Sequence, residues 1–174
     1  GLPYIIVPAA IAALPGTLRA RIRVDQQCRK EDVETTRAVY AQMNVSADIL
    51  PFFSDIPARL AAAHLIIARA GASTIAELTA AGRPSILVPL PSSMDNHQYY
   101  NASSVEEAGG AWMIPQEGFT AASLSNRIEA FLSLPDNLAR AAANARNAGK
   151  INAASDLAAI TLNVAAEHSL KKKS

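Results

Sequence analysis

Short apolar runs alternate along this chain with longer stretches in which apolar residues recur every three or four positions. That is the pattern of strands and helices taken in turn. Ile5 to Leu14 reads as a helix interrupted near Pro8 and ended by Pro15-Gly16. Arg21 to Cys28, with Ile22 and Val24, reads as a strand. Lys30 to Met43 places Val33, Arg37, Val39, Tyr40 and Met43 at helical spacing, with Glu31 and Asp32 in the first turn, where the macrodipole favours acids. Ala47 to Phe53 is a second strand, and Ser54-Asp55 offers a cap for a short helix with Pro57 in its first turn. Leu65-Ile66-Ile67-Ala68 is continuously apolar, as expected of a strand covered on both faces. Ser73 to Ala81 is a helix closed by Gly82 and Pro84, and Ser85 to Pro89 is another buried strand. A helix starting at Asn96 or His97 runs to Ala108 and stops at Gly109-Gly110, before a short strand from Ala111 to Ile114. Three helical patterns follow, Ala121 to Leu132, Asp136 to Ala148 and Ala153 to His168, separated by Pro135 and Gly149.

Strand and helix alternating at this spacing predict βαβ units, and right-handed crossovers turn these into an α/β fold with a Rossmann-like, doubly wound parallel sheet. The length of 174 residues fits a single domain, residues 1–174, with one full core. The chain opens on a helix, where such domains ordinarily open on a strand and a glycine-rich turn. The expectation is that the natural protein continues N-terminally and that this is a fragment.

Composition narrows the function. Half the residues are hydrophobic but only 5% are aromatic, and the abundant alanine favours closely packed helices over an all-β fold. A net charge of +1 gives no field to attract nucleic acid. Lys171-Lys172-Lys173 could touch an anionic membrane, but reads rather as a solvated, frayed tail. Cys28 is the sole cysteine, so no intrachain disulfide forms, and it reads as a small buried residue. No apolar run approaches the ~20 residues that span a bilayer.

In an open α/β sheet, ligands bind beyond the carboxyl ends of the strands, and two strand ends here are rich in suitable groups. At Arg69-Ala70-Gly71-Ala72-Ser73-Thr74-Ile75-Ala76-Glu77 a buried strand ends and a helix begins. Gly71 and Ala72 let a ligand approach the backbone, and the N–H groups of Ser73, Thr74 and Ile75 are expected to be unpaired at the helix start. With the positive end of the dipole they suit a phosphate or diphosphate, and Arg69 adds a cation. Glu77, one turn in, accepts hydrogen bonds only and so fits vicinal hydroxyls such as those of a ribose. The same residues also read as an ordinary capped helix. The second strand end, Pro89 to Asn101, holds Asp95, Asn96, His97, Gln98 and Asn101. Gln98 and Asn101 share a helix face, and Asp95 with Gln98 offers acceptors and donors for sugar hydroxyls. A surface loop with a cap at Asp95 or Asn96 accounts for the same pattern. No second histidine stands at ligand spacing, so no metal is expected.

These two segments resemble the MurG family of N-acetylglucosaminyltransferases. The resemblance rests on Phe52-Phe53-Ser54-Asp55-Ile56, on Ala68 to Leu78, on Ala80-Ala81-Gly82-Arg83-Pro84 with Ile86-Leu87-Val88-Pro89, on Asp95-Asn96-His97-Gln98 with Asn101-Ala102, and on Ala108-Gly109-Gly110-Ala111. It implies the C-terminal half of a GT-B glycosyltransferase, in which two Rossmann-like domains face a cleft and the C-terminal one holds UDP-N-acetylglucosamine. The main chain at Phe53 would then meet the uracil edge, Glu77 the ribose, and Ala72, Ser73, Thr74 and Arg69 the nucleotide and phosphate. Gln98, with Asp95, Asn101 and His97, would hold the sugar.

The implied reaction is inverting transfer of N-acetylglucosamine to undecaprenyl-diphospho-muramoylpentapeptide in peptidoglycan synthesis. It needs no cofactor and no metal, and takes place at the cytoplasmic face of the bacterial inner membrane through peripheral contact. The family's first C-domain strand with its glycine–serine turn is absent from Gly1 to Pro8. So is the N-terminal domain that meets the lipid-linked acceptor and carries the expected general base. No catalytic residue is therefore expected in this chain, and little or no turnover by it alone. Three other readings remain. One is the donor half of another GT-B enzyme of glycolipid type; the second is a stand-alone donor-binding subunit that needs a partner chain. The third is a plain Rossmann-like domain without sugar specificity, for which the lack of a G-x-G-x-x-G after a strand disfavours a dinucleotide.

Overall fold

The computed structural model describes residues 3–91, 96–134 and 136–149. Helix α1 is Pro3–Ala12 and a short α2 is Gly16–Arg19. Strand β1 is Arg23–Gln27, followed by a 3-10 turn at Lys30–Asp32 and helix α3 at Val33–Gln42. Then come β2 (Ser46–Leu50), α4 (Ile56–Ala62), β3 (Ile66–Ala68), α5 (Ala72–Ala81), β4 (Ser85–Leu87), α6 (His97–Glu107) and β5 (Ala111–Met113). Helix α7 is Ala121–Ser133, and residues 136–149 form α8. The expected helix from Ala153 to His168 and the lysine run fall outside the described residues.

All strand pairing is parallel, as the alternation required. It is divided into two ladders, β1 with β2 and β3-β4-β5, where the sequence suggested one sheet. Helices cover both faces. Ile86 and Leu87 are adjacent in β4, fully buried, and point to opposite sides. Ile86 joins a large cluster with Val7 and Ile11 of α1, Tyr40 of α3, Ile49 of β2 and Leu124 and Phe131 of α7. Leu87 joins a smaller one with Ile75 and Leu78 of α5 and Ala102 and Val105 of α6, to which Leu60 of α4 adds. The helix between β1 and β2 thus covers one face, and the helices between β3, β4 and β5 cover the other. With right-handed crossovers, this change of face marks a reversal of winding between the two ladders, the place where such folds open a ligand crevice.

Several local expectations need correction. The helix at Pro8 is not interrupted; it runs through the proline, giving up one main-chain bond while Val7, Ala10 and Ile11 keep their packing. Gly16 opens α2 instead of merely ending α1. The β2 strand stops at Leu50, so Phe53 lies in the following loop. Residues 66–68 are half-buried, not sealed on both faces, because β3 is the outer strand of its ladder. Cys28 is buried, as expected of a small apolar side chain.

The ends of the helices follow sequence chemistry. Gly82 takes the left-handed conformation (φ 60°) that closes α5, with its N–H donating to the Thr79 carbonyl. Thr120 caps α7: its Oγ1 accepts from the Ser123 N–H at 3.1 Å, and Ser123 Oγ accepts from the Thr120 N–H at 3.0 Å. Thr120→Ala is expected to cost about 1 kcal/mol of stability, read as a lower urea midpoint at constant slope. A loss below about 0.3 kcal/mol would show that the exposed pair is replaced by water without penalty.

Candidate functional site

Helix α5 starts at Ala72, one residue earlier than the spacing suggested, with Gly71 at its cap in an extended conformation (φ −63°, ψ 150°). The Ile75 N–H therefore donates to the Gly71 carbonyl at 2.9 Å and is not available to a ligand. The amides left at the helix start are those of Ala72, Ser73 and Thr74. No side chain caps this end, and Ala72 and Ser73 are exposed, so the positive end of the dipole opens to solvent. Glu77 is exposed one turn further on.

Arg69 is half-buried between the two strand ends. Its Nη1 donates to the Val88 carbonyl at 3.1 Å and reaches the Pro89 carbonyl at 3.5 Å. One edge of the guanidinium thus ties the end of β3 to the end of β4, which sets where the rest of the group can meet an anion.

Helix α6 completes this frame. Asn96 precedes it in the left-handed region (φ 56°), which asparagine tolerates. Asn101 Nδ2 donates to the Ala70 carbonyl at 3.0 Å, fixing the turn before α5. Gln98 Oε1 accepts from the Leu90 N–H at 3.1 Å, fixing the chain beyond β4. Both side chains face the strand ends, as their shared helix face implied, and both hold main chain there. His97 is exposed at the first position of α6, and Asp95 lies outside the described residues. Among the described residues no group of three His, Cys, Asp or Glu side chains is placed to hold a metal ion. No helix among them is long and apolar enough to cross a membrane.

Phe53 is reached by a different route. Its side chain is buried, while neighbouring Phe52 is exposed. No hydrogen bond among the described residues uses the Phe53 N–H or C=O. One donor and one acceptor on the same residue match the paired acceptor and donor on the edge of a pyrimidine base.

Beneath this loop lies a cluster that the sequence reading missed. Arg59 of α4 donates through Nε to Asp55 Oδ1 at 2.8 Å. Its Nη1 lies 2.9 Å from Asp25 Oδ2 and 2.8 Å from Asp48 Oδ2. Its Cζ sits 3.9 Å from the centre of the Phe53 ring. Asp55 was expected to cap α4, but no side-chain cap bond is present and its carboxylate serves Arg59 instead. The one local signal was the Asp55–Arg59 spacing of four on a helix.

The hydrogen bond from Arg59 holds the Asp55 carboxyl below the usual carboxylate range, and the Asp55 carboxylate in turn raises Arg59. A carboxyl depressed by folding adds stability above its unfolded pKa and loses it as pH falls through the lower folded one. The Asp55 carboxyl carbon resonance should accordingly titrate at lower pH than a free aspartate, and in Arg59→Met it should return to the ordinary range. A normal midpoint in the unsubstituted protein would mean that the ion pair does not persist in solution.

Comparison with known proteins gives a consistent result. The model of the glycosyltransferase family 28 C-terminal domain matches residues 1–159. A Paramagnetospirillum magneticum protein named UDP-N-acetylglucosamine–N-acetylmuramyl-(pentapeptide) pyrophosphoryl-undecaprenol N-acetylglucosamine transferase is 52% identical over 153 residues, covering 88% of this chain and 41% of that protein. The Rhodospirillum centenum protein of the same name is 52% identical over 160 residues, covering 92% of this chain and 42% of its own. The crystal structure of Acinetobacter baumannii MurG is similar to this chain with a TM-score of 0.72 at 32% identity, over 84% of this chain and 42% of that one. The chain thus spans about two fifths of the length of these relatives.

Proposed function

This chain belongs to the glycosyltransferase family 28 C-terminal domain family, and from that premise we propose that residues 1–174 form the UDP-N-acetylglucosamine-binding half of a MurG-type transferase. The observation that carries the proposal is the start of α5. Three main-chain amides without an intrahelical partner stand at the end of a parallel strand, with Glu77 one helical turn beyond. Amides and dipole suit the diphosphate, and the carboxylate suits the ribose hydroxyls. Phe53 offers its peptide group to uracil, and Arg69 adds positive charge beside the phosphates. Gln98, Asn101 and His97, at the start of α6, are proposed to meet the sugar, together with Asp95, which lies outside the described residues.

In the proposed reaction an acceptor hydroxyl attacks the anomeric carbon from the face opposite the diphosphate. The new C–O bond forms as the bond to UDP breaks, with inversion. The hydroxyl proton passes to a base on the acceptor side of the cleft. The part played by this half is to bind the donor and to stabilise the charge that develops on the departing diphosphate. The acceptor would be the lipid-linked muramoylpentapeptide named in the relatives, met at the cytoplasmic membrane face through the other half of the enzyme. Because both halves form the reacting cleft, this chain alone is proposed to bind donor with little or no turnover.

Calorimetric titration with UDP-N-acetylglucosamine, UDP, UDP-glucose and NAD tests the reading. Saturable binding that prefers the N-acetylglucosamine donor is the expected result, and NAD binding as tightly as UDP would sink it. Glu77→Ala should weaken UDP by about 1.5 kcal/mol, roughly tenfold, because it removes hydrogen bonds to a charged acceptor at an exposed position. Unchanged UDP affinity in that variant would take Glu77 out of the site.

A further inference from the structure

The candidate site leaves the Arg59 cluster without a role. Asp25 and Asp48 stand directly opposite each other in the β1–β2 ladder. Two carboxylates at that separation repel unless a cation lies between them, and Arg59 Nη1 contacts both. A lysine would meet that need. Arg59 does more than neutralise: its Nε edge holds Asp55 at the start of α4, and the face of its guanidinium lies over the Phe53 ring. Only a planar group with several donors bonds carboxylates at its edge while stacking on an aromatic face. Three carboxylates and the Phe53 ring meet the guanidinium from different sides, with 22% of the Arg59 side chain left exposed. The loop between Leu50 and Ile56 is therefore fixed at both ends and at its buried ring.

On the reading that the Phe53 main chain meets the base, we infer that Arg59 is a positioning residue for nucleobase recognition, setting the Phe53 peptide through its ring while touching no part of the donor. The phosphate end of the site is held by other contacts, those of Arg69 and Asn101, and does not depend on Arg59.

The test is Arg59→Met in the full 174-residue chain, titrated with uridine, UDP, ADP and inorganic diphosphate. Uridine and UDP affinity should fall by a common factor of roughly ten. Diphosphate affinity should stay unchanged, and the preference for UDP over ADP should narrow. Arg59→Lys, which keeps charge between the aspartates but loses the stack and the fork, should recover stability more than it recovers base preference.

A merely structural role would move uridine and diphosphate together, and that outcome overturns the inference, as does unchanged uridine affinity in a folded variant. Should Arg59→Met fail to fold, Phe53→Leu removes the ring and leaves the ion pairs. It is expected to give the same selective loss of uridine, and unchanged uridine affinity there overturns the inference. If the unsubstituted chain shows no preference for UDP over ADP, the donor reading itself falls and this inference with it. A clear preference that Arg59→Met leaves intact overturns only the role of Arg59.

Discussion

Replacing Ile86 with alanine is expected to remove about 4 kcal/mol of folding stability, a large part of what a domain of this size has to lose. Ile86 is fully buried at the middle of β4, with Ile67 on one side of it in the ladder and Trp112 on the other. Both flanking strands are parallel partners, so the backbone cannot close over a void without breaking ladder bonds. Its side chain meets a cluster that draws on α1, α3, α7 and β2, helices and strand from both sides of the break between the ladders. The cavity left by the lost carbons would therefore be lined by elements that several other contacts hold in place. Little relaxation means a cost toward the upper part of the 2–5 kcal/mol range for such truncations. Urea unfolding followed both by circular dichroism and by fluorescence of Trp112, the sole tryptophan, which packs 4.1 Å from the Phe131 ring centre, gives the measurement. Coincident transitions with a lower midpoint are expected, and Ile86→Val should cost only about 1 kcal/mol. A loss under 1 kcal/mol, or two separate transitions, would show that the β1–β2 and β3–β5 ladders do not share one core.

Where the chain carries strong local chemistry, the sequence is a good guide. Gly82 after an amphipathic run can only be a helix stop, and it is one, in the left-handed conformation. The buried run at 85–89 and the small residues at 70–72 locate a strand end followed by a helix, and the α/β class follows from that alternation. What failed is what depends on neighbours distant in sequence. Gly71 and Ala72 are both small, and nothing local says which of them is the cap. The answer shifts the set of open amides by one and removes Ile75 from it. Periodicity reports that residues 66–68 are apolar but not which strand lies beside them, so the split into two ladders was not legible. Asp25 and Asp48 carry no local signal, because their meeting at Arg59 depends on strand register and on the packing of α4. Gln98 and Asn101 stand out in the sequence by type and spacing as candidate sugar ligands, and what type and spacing do not tell is that they bond Leu90 and Ala70 and so brace the turns at the two strand ends.

Ala72→Pro should separate binding from folding more sharply than any substitution that truncates a side chain. Ala72 is the first residue of α5, where proline's fixed φ suits the helix and its missing N–H breaks no intrahelical bond. The residue before a proline must be extended, and Gly71 already is, at φ −63° and ψ 150°. The folded state loses nothing that it uses, while the unfolded chain loses freedom, so stability should hold or rise by about 0.4–1 kcal/mol. The donor is treated differently. One of the three amides proposed to face the diphosphate disappears, and a ring methylene takes the place of its hydrogen. A lost charge-assisted hydrogen bond together with that obstruction should cost about 3 kcal/mol, roughly a hundredfold in UDP affinity. Uridine, which carries no phosphate, should bind the variant within about twofold of the unsubstituted chain, a difference of no more than roughly 0.4 kcal/mol. This differs from the pattern expected of Glu77→Ala, which should weaken both through the ribose. Full UDP affinity in Ala72→Pro would move the phosphate away from the start of α5 and leave Arg69 to hold it from the strand ends. A parallel loss of uridine would mean instead that the helix had shifted. Only a loss confined to phosphate-bearing ligands, in a protein at least as stable as its parent, fits a diphosphate held by the main chain at this strand-to-helix turn.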